Sequence, residues 1–228
     1  MMAIIPLGFT DRRVLGTIAE KALTYQSGDS YPLTINSMVS GCNQKSNRDP
    51  ITDLGADEVE DSVERLMEAK LVERVPLSSS SRTERYKHVL YNAWSVSKID
   101  LAILAELLLR GLQTEGELRG RAGRMADIPD LEVLRNHLKD LARREMVIYL
   151  TPENKRGAIL THGYYEPDEL PDERRKANSG TVAESPGPRS SSGAGVAELA
   201  SRIEHLEKAV EELKQQIAML QSGRTPPT

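Results

Sequence analysis

Arg135, Lys139 and Arg143 recur every four residues, with Arg144 beside them, and that spacing lines side chains along one face of a helix. Two guanidinium groups and an ammonium group in a row are suited to contacting a phosphate backbone, where they fix a protein's register on nucleic acid. Arg119, Arg121 and Arg124 come from a short helical stretch just before, and Lys155-Arg156 from a polar turn just after. Arg119, Arg121, Arg124, Arg135, Lys139, Arg143, Lys155 and Arg156 are the candidate nucleic-acid-binding set, and duplex DNA is the partner they imply. Asp140 and Glu145 lie among them and offset part of the charge. Salt bridges to a neighbouring domain, or plain solvation, are the competing uses of the same side chains.

Other chemistry finds no constellation. His88, His137, His162 and His205 are scattered, and no His-Glu-x-x-His, P-loop or glycine-rich dinucleotide fingerprint occurs. Gly116, Gly120 and Gly123 lie in a polar helical region with no preceding strand of a βαβ unit. Cys42, the single cysteine, excludes an intramolecular disulfide and a cysteine-based zinc cluster. Its place beside Val39 on an apolar side predicts a buried, inert thiol. No catalytic, cofactor-binding or metal-ligating residue is therefore assigned, and the chain reads as a non-enzyme. Nothing approaches about 18 consecutive apolar residues, and the Met1 to Leu7 stretch lacks the charged start of a signal peptide. The expectation is a cytoplasmic protein without a membrane partner.

The elements that would position the basic residues occur in an order that repeats. The chain of 228 residues carries a formal net charge of -4 and a pI near 5.7, without the strong basic balance of a non-specific nucleic-acid binder. In the first pass Val14, Leu15, Ile18, Ala19 and Ala22 recur at helical spacing from about Thr10 or Asp11. Ile35, Met38, Val39 and Cys42 then mark a second helix, and Val59, Val63, Leu66 and Met67 a third, from about Asp57 to Lys70. Segments 71–77 and 85–91 read as strands around the polar tip Ser78 to Ser81.

The second pass repeats this order. Ser97 caps a helix with Ile99, Ile103, Leu104, Leu107 and Leu108 facing inward, and Gly111 ends it. Thr114 and Glu117 have capping-box spacing for a short helix holding Leu118 and Ala122. Asp130 caps a third helix whose core face is Leu131, Leu134, Leu138 and Leu141. Strands at 146–150 and 157–162 follow, joined by Pro152 to Arg156. The fold class is thus mainly α with small β wings (α+β): two tandem winged helix-turn-helix domains, 8–95 and 96–165.

Charge separates the two passes. The first third helix exposes Glu58, Glu60, Asp61, Glu64 and Glu68, which a phosphate lattice repels, so it reads as a protein-contact or solvated surface. Residues 166–195, rich in acids, Pro, Gly and Ser, read as a flexible linker. Beyond it Val196, Ile203, Val210 and Ile217 alternate with Leu199, Leu206, Leu213 and Leu220 at spacings of three and four. β-Branched residues at every a position and leucine at every d favour a parallel two-stranded coiled coil over 196–221 and hence a homodimer. A single helix folding back on its own globular part is the alternative.

Asn43 to Pro50, with two asparagines, a glutamine, Lys45 and Arg48, reads foremost as a loop tied down by hydrogen bonds to backbone. Trp94, the sole tryptophan, is placed at the junction of the two domains. Three separated motifs, 31–36 (Tyr-Pro-Leu-Thr-Ile-Asn), 42–50 (Cys-Asn-Gln-Lys-Ser-Asn-Arg-Asp-Pro) and 107–119 from Leu107 to Arg119, extended by Arg121, Ala122, Arg124 and Met125, resemble the bacterial YceH-like family, also called UPF0502 or DUF480. The likeness spans about 8–165. It implies a pair of winged-helix domains, followed in many members by a helical tail, in a bacterial cytoplasmic protein of undefined biochemical role, with no catalytic residues to carry over. Gly55 stands where the family more often has a serine cap. Two functions follow: a transcription-regulator-like DNA binder acting through the second domain, or a protein–protein adaptor using the acidic first domain and the coiled coil.

Overall fold

A computed structural model describes residues 4–25, 31–76, 83–153, 155 and 157–178. The heptad positions Val196 to Leu220, His205, Arg156 and the Ser78 to Ser81 tip lie outside the described residues.

The first half runs α1 (Phe9–Thr24), α2 (Ile35–Cys42), α3 (Ala56–Glu68), β1 (Val72–Val75), β2 (Arg85–His88) and α4 (Leu90–Ala93). The second runs α5 (Lys98–Arg110), β3 (Gln113–Thr114), α6 (Glu115–Ala122), α7 (Leu131–Arg143), β4 (Val147–Tyr149) and β5 (Ile159–His162), and α8 (Leu170–Asn178) follows. The architecture is mainly helical with two small antiparallel sheets, β1-β2 and β3-β5-β4. The halves share a detail that the helical periodicity did not reveal. Just before its second helix each returns to pair with its last strand, Leu33 with Tyr86 in the first half and Gln113 with Leu160 in the second.

Local chemistry explains the helix starts. Thr34, Ser97, Thr114 and Asp130 each accept a hydrogen bond from the amide three residues on, satisfying a donor with no partner within the helix. At Gly55 there is no side chain to cap α3, yet the Glu58 carboxylate accepts the Gly55 N–H at 2.9 Å, so half of a capping box persists.

The two halves are not separately closed. The expected domains 8–95 and 96–165 fall within one compact unit, and α1 packs most extensively on α5. Both helices are buried almost all round: Asp11 to Glu20 of α1, and Asp100 to Leu109 of α5. A helix apolar on every side must be covered on every side, and α5 is covered by α1 as well as by α6 and α7. At Gly16 a Cβ would sit 3.0 Å from Leu109 Cγ, so the absence of a side chain sets how closely the helices approach.

Two expectations are corrected. Leu131, assigned to the core face of α7, is 37% exposed, while Leu134, Leu138 and Leu141 are buried. It occupies the first residue of the helix, where the chain is still leaving the surface. The start of the expected linker is ordered: Arg12 grips Glu169 through both guanidinium nitrogens, at 2.5 and 2.7 Å. That pair precedes α8, whose Ala177 is buried.

Candidate nucleic-acid interface

α7 presents its polar side because its leucines are consumed by the core. Glu132, Arg135, Asn136, Lys139, Asp140 and Arg143 are exposed, and the helix packs through its other side on α5, α6 and β4. Arg135 is half-exposed and its Nε donates to Glu115 at 2.8 Å. The Tyr149 hydroxyl donates to the other oxygen of Glu115, also at 2.8 Å, so a strand residue and a helix residue converge on one carboxylate. That carboxylate and burial together push the Tyr149 phenol up, burial being the larger influence. Arg143 lies 3.0 Å from Asp140 with its side chain 76% exposed. The Lys139 ammonium is exposed and has no side-chain partner among the described residues. Lys155 is exposed in the turn between β4 and β5.

The arginines around α6 are placed differently. Arg119 donates to the Pro129 carbonyl at 2.6 Å, and Arg121 to Gln113 and Glu117. Arg124 is engaged by two carboxylates: it bonds Glu20 of α1 at 2.6 Å and Glu106 of α5 at 3.0 Å. It thereby links α1 of the first half to α5 of the second. Glu20 also receives two bonds from Arg48, which is itself buried. Burial drives the Glu20 carboxyl upward, but the hydrogen bond and charge of Arg48, with the charges of Arg124 and Lys21, outweigh it and leave the group below its usual range.

The Asn43 to Pro50 loop is structural in the manner expected. Asn43 exchanges hydrogen bonds with the backbone of Leu54 at 2.8 and 2.9 Å, and Arg48 donates to the Gly41 carbonyl at 2.9 Å. Arg48 pairs with Glu20, twenty-eight residues away; sequence proximity could not show that partner. Arg13 completes the clamp, donating to the carbonyls of Cys42 and Pro50. Burial above all, aided by Arg48, lowers its pKa to about 10.

Residues considered for other chemistry are occupied in packing. Cys42 is buried, with burial pushing its thiol up. His88 and His162 are buried on β2 and β5, and the His137 ring lies 2.7 Å from Asp100. Among the described residues no three His, Cys, Asp or Glu side chains group to hold a metal ion. Likewise no described helix is long and apolar enough to cross a membrane.

On α3 the opposite electrostatics hold. Asp57, Glu60, Asp61, Glu64 and Glu68 are exposed and make no ion pair among the described residues, whereas Arg65 is tied to Asp11 at 2.7 Å.

The model of a family described as a protein of unknown function, DUF480, matches residues 7–157. A UPF0502 protein of Rhodopirellula baltica is 38% identical over 183 residues, covering 79% of this chain and 75% of that protein. Another from Saccharophagus degradans is 35% identical over 228 residues, covering 94% of this chain and 96% of the relative. A third, from Geobacter sulfurreducens, is 44% identical over 140 residues, 61% of this chain and 62% of that protein.

Proposed function

We propose, from the premise that the chain belongs to the DUF480 (UPF0502) family, that it is a non-enzymatic tandem winged-helix protein that contacts duplex DNA through α7. The observation carrying this reading is that Arg135, Lys139 and Arg143 lie exposed on one face of α7, uncovered by the first half. The tandem winged-helix assignment draws support from the repeated order of three helices and an antiparallel hairpin, and from the matched pairings at Leu33 and Gln113. In a helix-turn-helix the helix at the position of α7 is the one that enters the major groove.

Some of the candidate cations have partners within the protein. Arg124 is committed to Glu20 and Glu106, and Arg119 and Arg121 to local partners. Arg135, Lys139, Arg143 and Lys155 remain the principal candidates. Each phosphate neutralised contributes roughly -0.9 to the slope of log affinity against log salt, so a slope of about -3 to -4 is expected. Replacing Arg135, Lys139 and Arg143 together by Ala should weaken binding at low salt and flatten that slope by about 3. Titration of a fluorescent duplex at several salt concentrations measures both, and unchanged binding in the triple variant would remove this face from the account.

The unpaired carboxylates of α3 favour a second reading, an adaptor whose first half docks a basic protein partner. It predicts partner capture that survives the α7 triple variant and fails when Glu60, Asp61 and Glu64 become glutamine or asparagine.

A further inference from the structure

An apolar cavity of about 810 Å3 opens where the two halves meet. The C-terminal end of α3 with the residues after it (Ala69 to Leu71), the α4 region and the start of β4 form its sides, and Ile4 and Ile5 close one edge. Trp94 and Tyr164, stacked with ring centroids 4.7 Å apart, form an aromatic wall. The volume falls inside the ~300–1,000 Å3 range of small-molecule sites, and such sites combine apolar walls with a few polar groups that orient the ligand.

The charged groups of the lining are of one sign, beside the neutral Asn92, Ser95 and Tyr164. Lys70 and Arg144 line the cavity, and among the described residues no acidic side chain does. Lys70 is exposed and has no ion-pair partner among the described residues. Arg144 donates to the carbonyls of Trp94 and Ser95, neutral partners that orient the guanidinium without cancelling its charge; Asp140, 3.9 Å from it, lies outside the lining. The Tyr164 hydroxyl, in the same wall, is buried with no hydrogen-bond partner among the described residues. We propose that this cavity binds a small amphipathic carboxylate, its apolar body against Trp94, Tyr164 and Leu71 and its anionic end toward Lys70 and Arg144. The proposal is independent of DNA binding, since none of the cavity residues belongs to the α7 face.

Trp94 is the only tryptophan in the chain, so its emission reports directly on the cavity. The full chain would be titrated with decanoate, decan-1-ol and decyltrimethylammonium, probes that share an alkyl body and differ in head-group charge. Decanoate is expected to change the Trp94 emission saturably and to bind about tenfold tighter than the alcohol, with the cation weakest. Lys70→Gln, a surface change that keeps the side-chain stem, should weaken decanoate about fivefold and leave the alcohol unchanged. No saturable change, equal binding of acid and alcohol, or an unaffected Lys70→Gln variant would each overturn the proposal. A change in emission with protein concentration alone would assign the face to a second copy of the chain and overturn it equally.

Discussion

Burial turns two histidines into a stability switch. His88 is buried, its Nδ1 accepts the Leu90 N–H at 3.3 Å, and burial, with a smaller push from Lys87, lowers its pKa from 6.5 to about 4. His162 is in the same condition: its Nδ1 accepts the Tyr164 N–H, and burial followed by the charge of Arg12 holds it well below its usual value. In the unfolded chain both rings take up a proton near pH 6.5, whereas in the folded protein they stay neutral. Between about pH 6.5 and 4 the unfolded state therefore binds more protons, and stability must fall as pH falls. For His88 alone the loss approaches about 3 kcal/mol by pH 4. Urea denaturation at steps from pH 7.5 to 4.5 should show this decline, and His88→Asn, which keeps an acceptor for Leu90, should flatten it. A curve with the same slope in the variant would mean that His88 does not titrate as its burial requires.

At the scale of elements, register is set by close approach as much as by apolar patterning. Beyond β5 the chain turns against the start of β4: the Gly163 N–H donates to the Met146 carbonyl at 2.9 Å, and a Cβ at Gly163 would lie 1.8 Å from the Glu145 carbonyl oxygen. Glu145 itself has φ of 59°, so both chain segments are fixed where they touch. Gly163→Ala should cost roughly 3 kcal/mol or more, because backbone rather than a flexible side chain must move; thermal unfolding checks it, and a loss below about 1 kcal/mol would show that the hairpin can open. Such approaches are invisible in a sequence, whereas caps are not. Ser97, Thr114 and Asp130 announce α5, α6 and α7 because a cap acts within three residues of itself. The outer face of α7 was equally legible from the spacing of its leucines. Arg124 was not, since its partners on α1 and α5 are brought near only by folding. A signal for that packing did exist: Leu101 to Leu109 is apolar all round except for Glu106, and such a helix needs cover on its second side.

Across the whole molecule, the ionic network joins what the repeated order of elements would leave separate. Glu20 and Glu106 are almost wholly buried, and Arg48, Arg110 and Arg124 converge on them from loop, helix and turn. Removing one partner of such a group leaves a buried charge uncompensated, so the halves are held together by charge as well as by the shared apolar core. On the proposed reading the α7 face would offer only about four cations, two of them, Arg135 and Arg143, already paired with Glu115 and Asp140, too few for tight binding at physiological salt on their own. A dimer would supply the remedy, and the β-branched a positions and leucine d positions of 196–221 are of the type that favours a parallel one. Two copies of α7 engaging one duplex would gain roughly a hundredfold through effective concentration, provided that the segment between permits both to reach. By sedimentation, the full chain should run at twice its monomer mass and a chain ending at Gly195 as a monomer. The shortened chain should also lose that hundredfold in affinity while keeping the salt slope per monomer. Equal masses would sink the dimer, and equal affinities with unequal masses would show that the two faces never share a duplex.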